Sequence, residues 1–229
     1  MVDSLPVLAA AAAFVGSHFL LSHPLRGPLV AALGEKGFLG LYSVVALVTL
    51  GATAHYYGAA PAAAPLWAVG AGLWALVTVA MLVAAILLMG SLVRNPALPG
   101  AAGAATASAT GVYAVTRHPM MWAFAIWGAC HVAIYPVEKN IVVASAIVIL
   151  ALVGAALQDR KKAARDPAGW PAWEARTSYW PFAAIAQGRT RFGGFGAHAL
   201  GGGVVLWLAA TWAHIPLAGM AAGIWRWLV

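Results

Sequence analysis

Seven histidines and one cysteine are the side chains of this 229-residue sequence best suited to chemistry. Two histidines bracket the apolar segment within GVYAVTRHPMMWAFAIWGACH, residues 111–131. Pro119 follows His118, and proline in the first turn loses no helical hydrogen bond, so His118 with Arg117 is expected where a loop becomes a helix. His131 is expected deep in that helix, on one stripe with Trp127 and Phe124, where aromatic packing explains the spacing as well as ligation does. His18, between Gly16-Ser17 and a run of leucines, is either a hydrogen-bonded core residue or a ligand. His55 adjoins Tyr56 and Tyr57 and suits an interfacial anchor, His23 before Pro24 suits a helix end, and His198 and His214 suit structural roles near the last apolar stretch. Neutral imidazole is tolerated in apolar surroundings and ligates haem iron well. No carboxylate pair, Ser-His-Asp set or phosphate-binding loop is present, and the single Cys130 excludes intramolecular disulfides, cysteine metal clusters and thioether-linked haem.

The elements that must hold these residues are membrane helices. Hydrophobic residues make up 63% of the chain and charged residues 8%, with a mean hydropathy of +0.85. A soluble domain carries about 25% charged residues, so this chain is expected to be an integral membrane protein. Its net charge of +7 fits the positive-inside rule rather than nucleic-acid binding. The N-terminus, MVDSLP, lacks the basic start of a cleaved signal, so the first apolar segment is expected to be retained.

Six stretches approach the roughly 20 residues needed to span a bilayer, at about 4–22, 37–56, 66–92, 119–136, 140–157 and 203–223. The expected fold is all-α, a polytopic transmembrane helical bundle forming one membrane-embedded domain over residues 1–229. The fourth and fifth spans, parted by Val137 to Lys139, should form a tight hairpin, and the uncharged spacer from Gly58 to Pro65 should be a short turn. Eleven of the 13 Lys and Arg residues lie in the first, third and fifth connections. That bias places both termini on the periplasmic side of an inner membrane and those loops in the cytoplasm. Leu25, Leu29 and Leu33 share a helical face suited to the interface. Asn95-Pro96 and Pro99-Gly100 are turn signals in the Ala- and Gly-rich connection 94–118. The charge run QDRKKAARD and then GWPAWEARTSYWPF suit a segment lying on the membrane surface over 158–192.

Depth constrains any histidine pair. Bis-histidine haem needs two imidazoles at similar depth on different helices. His18 and His118 both fall in the cytoplasmic half, whereas His131 lies about 18 Å past Pro119 at 1.5 Å per residue. Depth therefore pairs His18 with His118, or His131 with His55.

GSHFLLSHPLRGPLVAALGEKGFLGLYS, TRHPMMWAFAIWGACH, DRKK and TSYWPFAAIAQGR together resemble the NnrU family, associated with nitrite and nitric oxide metabolism, to which the plant fifteen-cis-zeta-carotene isomerase is similar. The resemblance covers most of 14–191 and leaves the last span, about 203–223, as an addition. It implies a polytopic membrane protein and, through the isomerase, a b-type haem held by histidines. On that carry-over His18 and His131 are the first candidates for axial metal ligands, with His118 and His55 next. An isomerase haem would act on a polyene by releasing one imidazole on a change of oxidation state, which needs no general base.

A second resemblance competes. GVYAVTRHP followed by W-P-A-W-E is similar to the membrane methyltransferases of isoprenylcysteine or phospholipids, whose pattern implies S-adenosylmethionine held around Tyr113, Arg117 and His118. Met120-Met121 and Gln158-Asp159 stand where that pattern has a tyrosine region and paired glutamates. A third expectation is a cofactor-free structural subunit of a respiratory or denitrification complex. Expected partners are membrane lipid and an apolar polyene, without nucleic acid.

Overall fold

The computed structural model describes residues 4–61, 63–97 and 106–229. Among the described residues the chain is all-helical, with nine α-helices and no strand. Five are long and apolar enough to cross a membrane: α1 (Leu5–Ser22), α2 (Arg26–Ala59), α3 (Ala71–Ser91), α6 (Glu138–Arg165) and α9 (Ala197–Ala218). The expected fourth span is α5 (Pro119–Ile134), apolar but only 16 residues long. Short helices α4 (Val112–Val115), α7 (Gly169–Arg176) and α8 (Ala183–Ala186) fill the connections, and a 3₁₀ helix closes the chain at Gly223–Trp227.

Helix ends follow local chemistry. Pro136 pushes Tyr135 out of the helical region and ends α5. Asn140 Nδ2 then donates to the carbonyls of His131 and Tyr135, at 2.8 and 2.7 Å, satisfying acceptors that α5 leaves open. The break therefore falls before Glu138 rather than across 137–139. At the other end α6 runs on to Arg165, because Gln158 and Arg160 to Arg165 are good helix formers and the basic side chains can leave the apolar phase along the same axis. The surface segment expected from 158 thus begins as the end of a long helix and continues as α7 and α8. Of the two turn signals after α3, Asn95-Pro96 forms a buried turn in which Asn95 Oδ1 accepts from Ala97 N–H at 2.9 Å, and Pro99-Gly100 lies outside the described residues.

The chain divides into two compact units, and the division falls within α5 and α6. In the first, residues 1–69 with 131–150, α1 packs along α2. The helix α2 is broken at Gly34, whose φ of +71° and ψ of +168° suit a residue without a Cβ. Arg26 and Glu35 bridge that break at 2.8 Å, and the Arg26 guanidinium lies 5.2 Å from the Phe38 ring centre. Lys139 Nζ donates to the carbonyls of Tyr57 and Ala60 at the end of α2, where a cation also suits the helix dipole. Trp67 Nε1 donates to the Ala133 carbonyl and Ser4 Oγ to Glu138.

In the second unit, residues 70–130 with 151–229, α3 packs along α9. Gly203 is what brings those backbones together: a Cβ there would sit 2.7 Å from Ile86 Cα and 2.9 Å from Ile86 N. Small residues at a helix crossing in a membrane allow this approach. Arg226 of the 3₁₀ helix lies over Trp74 at 4.5 Å, and Trp225 Nε1 donates to the Leu208 carbonyl. The core of this unit holds Val112, Tyr113, Val115, Ala123, Trp170 and Trp173 beside residues of α3 and α9.

A Gly203→Val substitution should lower stability by about 1–3 kcal/mol through overpacking against the Ile86 backbone. Thermal unfolding in detergent should show a clear fall in Tm. Gly201→Ala, where a Cβ meets nothing within 4 Å, should leave it unchanged or higher.

Candidate functional site

The second unit carries a buried cluster of charge. The helix α4 is buried on every side, and after it Thr116 takes an extended conformation that turns Arg117 and His118 onto the start of α5. Residues 177–182 close across this turn. Thr116 Oγ1 donates to the Tyr179 carbonyl at 2.7 Å, Arg117 N–H to the Ser178 carbonyl at 2.8 Å, and Phe182 N–H to the Val115 carbonyl at 2.7 Å. Trp122 Nε1 adds a bond to the Tyr179 carbonyl at 2.9 Å, and the Tyr179 hydroxyl donates to the Leu152 carbonyl at 2.7 Å.

Into this frame α6 delivers Asp159. Arg117 donates to Asp159 Oδ2 through Nε at 2.8 Å and through a terminal nitrogen at 2.7 Å, while His118 Nε2 lies 2.7 Å from Oδ1. Arg117 also reaches Glu174 of α7 at 3.3 Å. The side chains of His118, Asp159 and Arg117 are 1%, 10% and 12% exposed, whereas Glu174 is 34% exposed. Both Asp159 oxygens are therefore occupied. A carboxylate oxygen accepts, so His118 donates from Nε2 and its neutral form carries the lone pair on Nδ1. Such an Asp–His pair can take up or release a proton at Nδ1. Nearby, burial pushes the Tyr113 phenol up, and its hydroxyl is shared between the Ser91 and Val93 carbonyls. The Tyr179 phenol is also raised, first by burial and then by the Asp159 charge.

The first unit holds a histidine of different chemistry. His18, half-buried on α1, has Nδ1 2.7 Å from the Phe14 carbonyl one turn back. A carbonyl only accepts, so Nδ1 carries a proton, and the neutral form has its lone pair on Nε2. The Phe14 ring meets the imidazole edge-on at 4.4 Å and the Tyr42 ring of α2 at 5.3 Å. Ser22 Oγ donates to the His18 carbonyl, and Ser17 Oγ to that of Phe14.

The other candidates divide in the same way. His55 and His131 belong to the first unit with His18, and Arg117 and His118 to the second. His55 is exposed and stands edge-on to Tyr56 at 5.3 Å, while His131 is half-buried near the end of α5. Cys130 is buried. His23 occupies the C-cap of α1, and His198 and His214 bond to the backbone carbonyls of Met89 and Ala210. No group of three or more metal-ligating side chains occurs among the described residues.

Sequence reasoning singled out Asp159 as a fragment of a cofactor carboxylate pair and missed its pairing with Arg117 and His118. A usable signal existed: the chain has six Asp and Glu residues, so a carboxylate at the end of an apolar helix needs a partner. Tyr42 gave no such signal.

Fold and sites together define a polytopic helical membrane protein with a buried Arg–His–Asp cluster in one unit and a polarised histidine in the other. The family model described as NnrU protein matches residues 6–222, so the chain belongs to the NnrU family. That match runs past residue 191 and takes in α9. No curated protein and no solved structure matches the chain.

Asp159→Ala should cost about 3–5 kcal/mol, because it strands Arg117 and His118 without their shared partner. Glu174→Ala, at the partly exposed rim, should cost no more than about 1 kcal/mol. Unfolding of both variants in detergent micelles against the wild type measures the contrast.

Proposed function

We propose that this NnrU-family protein is a multi-pass inner-membrane protein that binds haem b, with His18 as one axial ligand. The observation that carries the proposal is the His18 hydrogen bond to the Phe14 carbonyl. A ligating histidine commonly donates its other ring N–H to a carbonyl or carboxylate, which fixes the tautomer and raises the basicity of the coordinating nitrogen. His18 meets that condition with Nε2, the nitrogen remote from the backbone and able to approach an iron held in a flat macrocycle. His118 meets it only with Nδ1, whose neighbouring Cβ and main chain crowd a porphyrin. His131, in the same unit as His18, is the second ligand proposed, and His55 the reserve. Bound haem would supply one-electron chemistry and an iron site for exchangeable ligands.

Two roles fit within this reading. One is redox-dependent cis–trans isomerisation of a polyene, and the other is a part in nitrite or nitric oxide metabolism. Isomerisation of a conjugated chain needs no general base, in keeping with α1 and α3, which carry no Asp, Glu, Lys or Arg. The S-adenosylmethionine alternative is less well supported. Such a site would need a carboxylate around Tyr113, Arg117 and His118; both Asp159 oxygens are already engaged, which leaves only the partly exposed Glu174, 3.3 Å from Arg117.

Purified in detergent after expression with ample haem, the wild type should show a Soret band that shifts on reduction. His18→Ala should lose most of it, and His118→Ala should retain it in whatever fraction folds. A folded wild type without a Soret band removes the proposal. Calorimetric titration with S-adenosylmethionine would then test the alternative, and full function of His18→Ala and His131→Ala in cells would favour a cofactor-free subunit.

A further inference from the structure

Resting on the haem reading, we propose that Tyr42 is the positioning residue of that site: its ring, packed T-shaped against the imidazole, sets the plane of His18. A hydrogen bond to a carbonyl fixes where Nδ1 lies but still lets the ring tilt about the axis through that bond. Neighbouring rings remove this freedom. Phe14 packs against the imidazole at 4.4 Å with 61° between ring planes, and Tyr42 at 5.3 Å and 77°. The Tyr42 contact lies within the range in which edge-to-face pairs attract, and the Phe14 contact sits at its short limit.

Phe14 comes from the helix of His18 itself and moves with it, whereas Tyr42 comes from α2 and supplies an external reference. Its ring is in turn held by Phe38, at 6.0 Å. Phe38 is 4% exposed and lies under the Arg26 guanidinium, which pairs with Glu35 across the Gly34 break. The order Arg26, Phe38, Tyr42, His18 thus links the imidazole plane to the kink of α2. In a low-spin ferric haem, the orientation of each axial imidazole relative to the porphyrin nitrogens splits the iron d orbitals. Electron paramagnetic resonance reads that splitting as the spread of g values, so the plane of His18 is measurable apart from any activity.

The test compares Tyr42→Phe with Tyr42→Leu in the haem-loaded full chain. The ring survives in the first, so its g values should match the wild type. Tyr42→Leu keeps much of the volume and loses the ring, so its lowest-field g value should shift while the haem content stays near that of the wild type. Unchanged g values in a haem-loaded Tyr42→Leu would overturn the proposal and leave the haem reading standing. A shift in Tyr42→Phe as large as in Tyr42→Leu would also overturn it, by assigning the effect to the hydroxyl. A wild type without haem would instead remove the reading on which the proposal rests.

Discussion

The Asp159 carboxylate is the constraint on which the second unit depends. Removing a carboxylate from water costs several kcal/mol even after relaxation, and only good geometry with full hydrogen bonding offsets it. Asp159 obtains both, from Arg117 on one oxygen and His118 on the other. Because both donors lie in the turn between α4 and α5, one anion from α6 fixes the entry of α5. The strap from Thr177 to Phe182 can then bond to that turn through Arg117 N–H, Thr116 Oγ1 and the Val115 carbonyl. Without the carboxylate, two cationic or polar side chains would face an apolar interior, and the backbone bonds around them would have no fixed register.

Scarcity of charge makes such pairing decisive. Glu35 and Glu174 each meet an arginine, Glu138 meets Ser4 Oγ, and Asp166 caps Gly169 N–H. Each described carboxylate therefore serves a local structural end. Asp159, with both oxygens engaged and only 10% exposed, is closed to an outside reactant, whereas Glu35 and Glu174 keep exposed surface.

Much of the fold was legible because hydropathy acts over whole spans. The stretches 4–22 and 66–92 became α1 and α3 within a few residues at most ends, and the shortness of α5 traces to Pro119 and Pro136, both visible in the sequence. The Gly34 break was less accessible. The leucines at 25, 29 and 33 marked a helical face, but a continuous run of helix-compatible residues does not reveal a positive φ. The continuation of α6 was missed because a charge run reads as the end of a span, although the same residues favour helix. Pairings over long sequence separations, such as Arg117 with Asp159, carry no local pattern at all. Composition could say that a buried acid needs a partner; only the packing of α4 to α7 determines which one.

Histidine is where sequence reasoning was weakest, for a physical reason. Residue type and depth treat all imidazoles alike, yet each ring has two nitrogens, and the partner of one decides what the other can do. Depth matched His18 with His118, since the charge bias led both to be expected toward one side of the membrane. Hydrogen bonding separates them: in the neutral form the lone pair of His18 is on Nε2, away from its own backbone, and that of His118 is on Nδ1 beside it. The first arrangement suits coordination to a large planar cofactor, and the second suits proton exchange with a small partner. A helix carbonyl four residues back produces the first, and a carboxylate delivered from another helix produces the second. Both outcomes follow from the obligation of a buried N–H to find an acceptor. The chemistry each histidine can perform is thus set by its hydrogen-bond acceptor rather than by its depth.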